Sequence, residues 1–198
     1  EWQNWLFFDA VDRLTEEEVA ALPEGTSIVN VRWVHTDKNS KLRVPGDVTS
    51  DIPVIPKSRL VVIGCQEKHT IRSDSPTASL LIFNLACCMA SLKGWVMMKA
   101  DATSAYLQGG EITRMLILRA PRPAPPGEKE GQLYRAKGSI YGTRDAGRSW
   151  WLKVKKTLLQ IGFTESVLEP AWFLLTRAGR LIGAVLVHVD DFLIIGEE

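Results

Sequence analysis

Asp190 and Asp191 stand side by side inside an apolar run, with LIGAVLV (181–187) before them and FLII (192–195) after. Carboxylates do not belong in such surroundings unless something offsets their charge, because an unpaired buried charge costs far more than one strand can return. A third acid, Asp101, closes another short apolar stretch, WVMMKAD (95–101). If the strands that carry these acids are neighbours in one sheet, the three carboxylates converge at a single edge. Each then makes the others costly until a cation sits among them. A hard divalent ion held by few carboxylates and by substrate phosphates is the habit of magnesium, and two such ions clamp the attacking and leaving oxygens of a phosphoryl transfer.

An adjacent Asp pair is also an ordinary turn, since Asp hydrogen-bonds its own backbone and tolerates left-handed conformations. What favours chemistry is the apolar sequence resuming at once on both sides, which implies a tight hairpin pinned into a core. A backbone that turns at the pair ranks Asp190 with Asp101 as the firmer ligands, meeting across adjacent strands, and leaves Asp191 as the outer one. His188, with His35 and His69 far away in sequence, is expected as an interior or hairpin-packing side chain rather than a metal ligand.

The elements that must position these acids are punctuated in the sequence. TEEE (15–18) has the form of a capping box opening a short acidic helix that Pro23 and Gly25 end. TSIVNVRWVH (26–35) and RLVVIGC (59–65) alternate as strands. A core helix is expected over 76–93, with Ser75 as N-cap, Pro76 in its first turn and Gly94 past its end. WVMMKAD (95–101) and MLILRA (115–120) read as strands. DAGRSWWLKVKKTLLQIGF (145–163) sets Trp150, Trp151, Val154, Leu158 and Ile161 on one helical face, with Lys153, Lys155 and Lys156 off it. AWFLLT (171–176), the turn RAGR and LIGAVLVH (181–188) form a hairpin, with FLII returning after the aspartates.

Length and composition bound the rest. A chain of 198 residues, 45% hydrophobic and 24% charged, buries a sizeable core as one domain or two small subdomains. Cys65, Cys87 and Cys88 supply neither a disulfide framework nor a paired zinc spacing, and are expected as buried thiols in a reducing compartment. Asn84 and the Asp pair interrupt the stretches best suited to span a bilayer, and no signal peptide is visible. The chain starts on Glu1 and is expected to be an excerpt of something longer. A net charge of +1 conceals a lopsided distribution: residues 1–24 hold seven acids against Arg13 alone, while 113–156 hold eleven Lys or Arg against Glu128, Glu130 and Asp145. Such a basic stretch attracts a polyanion or forms a solvated face.

Five ordered blocks resemble the reverse transcriptase of copia-type LTR retrotransposons: KSRLVVIGCQ (57–66), DSPTAS (74–79), GWVMMKADATSAYLQGGE (94–111), SIYGTRDAGRSW (139–150) and VHVDDFLIIG (187–196). The third is similar to a segment ending D-V-x-x-A-F-L-x-G-x-L, the fourth to L-Y-G-L-K-Q-A-x-R-x-W, and the fifth to L-Y-V-D-D-x-x-x-x-G. The resemblance implies an α+β, right-hand polymerase fragment, with an antiparallel palm sheet backed by helices 76–93 and 145–161. It places an acidic lead-in at 1–25, mostly fingers at 26–93 and mostly palm at 94–198, with the thumb, connection and RNase H parts absent. It further implies that Asp101, Asp190 and Asp191 hold two Mg²⁺ ions, Mn²⁺ being the alternative, while a primer 3′-hydroxyl attacks a deoxynucleoside triphosphate.

By the same resemblance, Lys57 and Arg59 touch the triphosphate, Tyr106 crowds the sugar 2′ position, and Tyr141 and Gly142 pack beside the templating base. Arg144, Arg148, Lys153, Lys155 and Lys156 are the expected nucleic-acid contacts. The implied partners are an RNA or DNA template with its primer, deoxynucleoside triphosphates and the rest of the Pol polyprotein, without a membrane and inside the cell. Departures from the pattern are His188 for Tyr, Tyr106 for Phe, and Thr143-Arg144-Asp145 for Leu-Lys-Gln. Two other readings exist: a decayed or domesticated fragment that only binds nucleic acid, and an RNase H-type nuclease, which the hairpin context of the aspartates fits poorly.

Overall fold

Alternating β-branched and apolar residues become strands because period two puts one set of side chains on a buried face. In the computed structural model, which describes residues 1–43, 51–68 and 70–198, these strands build two five-stranded sheets. Each belongs to its own compact unit: Glu1–His69 with Ile112–Thr143, and Thr70–Glu111 with Arg144–Glu198. The expected α+β class holds, one sheet being mixed and the other antiparallel throughout.

The first unit carries α1 (Trp2–Phe7), β1 (Val11–Arg13), α2 (Glu16–Ala20), β2 (Ile28–Asp37) and β3 (Pro56–Val62). Later in the chain come β5 (Ile117–Arg119) and β6 (Leu133–Ala136), and the strand order is β1-β6-β5-β2-β3 with β2 and β5 parallel. The capping box forms as expected: Thr15 accepts from the Glu18 N–H and the Glu18 carboxylate accepts from the Thr15 N–H. The lead-in and the basic stretch are tied by two sets of ion pairs: Lys137 meets Asp9 and Asp12, and Arg13, the one base of the lead-in, meets Glu128.

The second unit contains α3 (Leu80–Lys93), β4 (Val96–Asp101), α4 (Ala146–Gln160), β7 (Thr164–Glu165), β8 (Trp172–Arg177), β9 (Arg180–His188) and β10 (Asp191–Gly196). The sheet order is β4-β10-β9-β8-β7. Alternation along the strands divides two cores: Trp172, Ala184, Leu186 and Ile195 pack with α3, whereas Phe173, Val185 and Val187 pack with Trp150, Val154 and Leu158 of α4. The two helices therefore cover opposite faces of one sheet.

Three local expectations are corrected. The core helix starts at Leu80, not at 76, because Ser79 is the N-cap and is itself held by Glu169, which accepts from its N–H at 2.5 Å and its hydroxyl at 2.7 Å. Ser75 instead donates to the Gly147 carbonyl, and the Ala78 N–H bonds the Val187 carbonyl, so the segment before the helix runs extended against β9. Cys65 is exposed in the 3₁₀ turn Gly64–Gln66, and on α3 Cys88 is exposed and Cys87 half-buried, since that helix buries only Ile82, Ala86 and Ala90, one position per turn. Ile161 is exposed as well, because α4 ends at Gln160.

Candidate active site

A two-residue turn, Val189–Asp190, joins β9 to β10, and His188 and Asp191 are the register partners that close it. Val189 has φ +59°, an outlier conformation for a β-branched residue. Positive φ at the first turn residue alone is the type II′ pattern that matches the twist of a hairpin. The strain, on the order of 1–3 kcal/mol, persists because the turn is held from both sides. The Trp150 indole N–H of α4 donates to the Val189 carbonyl at 2.6 Å, and the Ala102 N–H donates to the Asp190 carbonyl at 2.8 Å.

β4 lies antiparallel beside β10, so Asp101 does meet the aspartate pair across adjacent strands in spite of the distance in sequence. The register differs from the expectation: the residue opposite Asp101 is Asp191, and Asp190 sits in the turn. The turn begins one residue earlier than the aspartates suggest, which makes Asp191 the first residue of β10. Directly opposed residues share a face, so Asp101 and Asp191 lie on the face that α3 covers farther along the sheet. Asp101 is exposed and the other two are half-exposed, at an accessible edge.

Lys99, two residues before Asp101 on that face, places its ammonium 3.0 Å from an Asp191 carboxylate oxygen. Its pKa is raised, first by the hydrogen bond to Asp191 and by the Asp191 charge, and further by the charges of Asp101 and Asp190. Beside this group opens a cavity of about 510 Å³, walled by Leu80, Phe83, Leu186 and Leu193 with His188, Lys99 and Asp191 on its lining. His188 is exposed rather than interior, since it ends β9 where the sheet edge runs out.

Among the described residues, no three His, Cys, Asp or Glu side chains are gathered into a ready-made metal cage. The donor set nevertheless suits a hard ion: carboxylate oxygens on one accessible edge, with room for water and phosphate to complete the shell. Magnesium uses this arrangement instead of an all-protein cage.

The other expected site residues fall in both units. Tyr106 lies in the 3₁₀ turn Ala105–Gln108, half-buried against the cluster of Ala105, Trp150 and Phe173. Lys57 and Arg59 are exposed on β3, opposite Thr36 and Val34. The Tyr141 carbonyl accepts the Val62 N–H at 2.8 Å, and Gly142, at φ +94°, approaches β3 so closely that a Cβ there would lie 2.0 Å from the Val62 carbonyl oxygen. Arg148 binds Asp74 at 2.8 Å, and Lys155 binds Glu165 at 2.5 Å while lying over the Trp151 ring. Arg144, Lys153 and Lys156 are exposed, and the two lysines stand in no ion pair among the described residues. Sequence reasoning passed over Lys99 and the turn-holding role of Trp150; period two from Asp101 was the available signal for the lysine.

An antiparallel sheet that brings a hairpin aspartate opposite a strand-end aspartate is suited to cation-assisted chemistry on phosphates. The family model described as reverse transcriptase (RNA-dependent DNA polymerase) matches residues 16–198, and the chain belongs to that family. It is 28% identical over 179 residues to the Retrovirus-related Pol polyprotein from transposon RE2 of Arabidopsis thaliana, covering 89% of this chain and 12% of the relative. The corresponding polyprotein from transposon RE1 of the same plant is 27% identical with the same coverage. That from transposon TNT 1-94 of Nicotiana tabacum is 23% identical over 184 residues, 91% of this chain and 13% of the relative. The chain thus spans about an eighth of the length of the curated relatives it matches. No solved structure matches it.

Proposed function

We propose that this chain is the fingers and palm part of an RNA-directed DNA polymerase within a copia-type Pol polyprotein, adding deoxynucleotides to a primer 3′-hydroxyl. The observation that carries the reading is the pairing of Asp101 with Asp191 across β4 and β10, beside a strained turn that holds Asp190. In this reading the unit containing Thr70–Glu111 is the palm and the unit containing β1, β2, β3, β5 and β6 is the fingers.

Asp101, Asp190 and Asp191 hold the divalent cations, two Mg²⁺ by preference. Once bound, such ions make the primer hydroxyl a nucleophile near neutral pH and offset charge on the transferring phosphoryl group and the departing pyrophosphate. The chain's own contribution is position: β4 and β10 fix Asp101 and Asp191, and the Trp150 bond to Val189 fixes the β9–β10 turn that carries Asp190. No side chain has to act as a nucleophile. Tyr106 stands as the sugar-discriminating ring, which excludes ribonucleotides by bulk. Lys57 and Arg59 are proposed for the triphosphate, and Tyr141 and Gly142 for the region of the templating base. The polyprotein, template and primer are the proposed partners, and the setting is intracellular; among the described residues no helix is long and apolar enough to cross a membrane.

The test is primer extension on an RNA template, with and without Mg²⁺, by this chain carried in its Pol polyprotein. Template-directed addition that needs the ion supports a polymerase. Tight template binding with no addition supports a fragment that only binds nucleic acid.

The proposed duplex-binding side chains are unequal. Lys153 and Lys156 are exposed and in no ion pair among the described residues, whereas Lys155 is committed to Glu165 and Trp151. Replacing Lys153 and Lys156 together by Gln should flatten the dependence of log affinity on log salt by about 0.9 for each phosphate no longer neutralised, roughly 1.8 in all. Lys155→Gln should leave the slope nearly unchanged. An unaltered slope in the double variant removes this face of α4 from nucleic-acid binding.

A further inference from the structure

Lys99 is a fixed positive charge among the carboxylates assigned to the cations. It projects from the same face of β4 as Asp101, and its ammonium lies 3.0 Å from Asp191. The strand leaves it little choice of neighbours, since period two and the register of β4 against β10 bring it diagonally onto Asp191. Its side chain is 73% exposed and that of Asp191 46%, so the pair is wet and breakable rather than a buried structural bridge. Lysine is a compact point charge on a flexible stem, able to leave and return.

Building on the polymerase reading, we propose that Lys99 is a built-in competitor for the divalent cation: its ammonium occupies Asp191 when the ion is absent and must be displaced when the ion binds. The competition is local. A cation that binds Asp191 takes the oxygen atoms Lys99 uses, and a divalent ion beside an ammonium repels it. Lys99 therefore sets a threshold concentration below which Asp191 stays paired with the protein's own cation. The same displacement frees an ammonium beside the site at the moment the metal arrives, where the polyanionic substrate is to bind. Lys99 is a positioning residue in this scheme, not a catalytic one.

The experiment is calorimetric titration of Mg²⁺ into the chain in its Pol polyprotein, comparing wild type with Lys99→Gln, Lys99→Arg and Asp191→Asn. An exposed ion pair is weak, and the loss of like-charge repulsion adds to what its removal returns to the ion. Lys99→Gln should therefore bind Mg²⁺ roughly five- to tenfold more tightly, Lys99→Arg should stay near wild type, and Asp191→Asn should bind more weakly. Unchanged or weakened binding in Lys99→Gln, with weakened binding in Asp191→Asn, overturns the competitor role and leaves the metal site standing. Unchanged binding in Asp191→Asn overturns the metal-site reading itself. Circular dichroism of each variant separates a binding change from a folding defect.

Discussion

Asp101→Asn should lower Mg²⁺-dependent nucleotide addition by on the order of 10³-fold while leaving the fold in place. A bound metal supplies several kcal/mol of stabilisation to the charge that develops on a transferring phosphoryl group, and each ~1.36 kcal/mol is a decade in rate. The amide keeps the shape of the carboxylate but offers one neutral oxygen in place of a charged pair. Stability should hardly move, because Asp101 is exposed at the end of β4 and its loss relieves repulsion with Asp191 directly opposite. Single-nucleotide incorporation and a urea unfolding curve on the same preparation separate the two effects. A rate within a few-fold of wild type would remove Asp101 from the site.

Gly142→Ala should have the largest effect on stability, and for a reason unconnected with any substrate. The added Cβ would meet the Val62 carbonyl oxygen at 2.0 Å, the Val61 Cγ1 at 2.6 Å and the Val62 nitrogen at 2.9 Å. β3 would have to withdraw and release the 2.8 Å bond from the Val62 N–H to the Tyr141 carbonyl. Left-handed strain, overpacking and a broken hydrogen bond sum to roughly 3–5 kcal/mol, a large share of the ~5–15 kcal/mol that holds a domain together. Gly179 is the control: it has φ +76° but nothing within 4 Å of an added Cβ, so Gly179→Ala should cost only the conformational strain, about 1 kcal/mol. Equal shifts in the urea midpoint for the two variants would show that the close approach to β3 does not matter. Tyr141-Gly142 thus has a structural explanation that stands whether or not the segment also lies near a templating base.

β4, β8, β9 and β10 of the second sheet were legible because each is carried by a run rich in apolar residues that aspartates or turn residues bound, and so were the capping box at Thr15 and the left-handed cap at Gly94. The hairpin itself was legible, but its register was not. A sequence reader places a turn on the aspartates, which tolerate turns, whereas the chain places it on Val189-Asp190 and forces a β-branched residue to positive φ. Nothing local announces that choice; it is imposed by Trp150 from a distant helix and by Ala102, the residue just past the end of β4. Ser75 and Ser79 are both plausible caps, and only the reach of Glu169 decides between them. The free-looking charges of α4 failed the same way: Arg148 and Lys155 find Asp74 and Glu165, partners that the helical period cannot reveal. β1, β6 and β7 are too short to carry a pattern.

The most direct test of the cation site is whether Asp101 and Asp191 act on one ion. Mn²⁺ reports its own binding by electron paramagnetic resonance, so the wild-type chain, Asp101→Asn, Asp191→Asn and the double variant can be titrated alike. Each single change should weaken binding by at least about tenfold, or ~1.4 kcal/mol, and the double variant should fall well short of the product of the two, because both carboxylates serve the same site. Independent, multiplicative losses would mean that the two aspartates bind separate ions or none in common, and wild-type affinity in either single variant would contradict the cation site on which the polymerase reading rests.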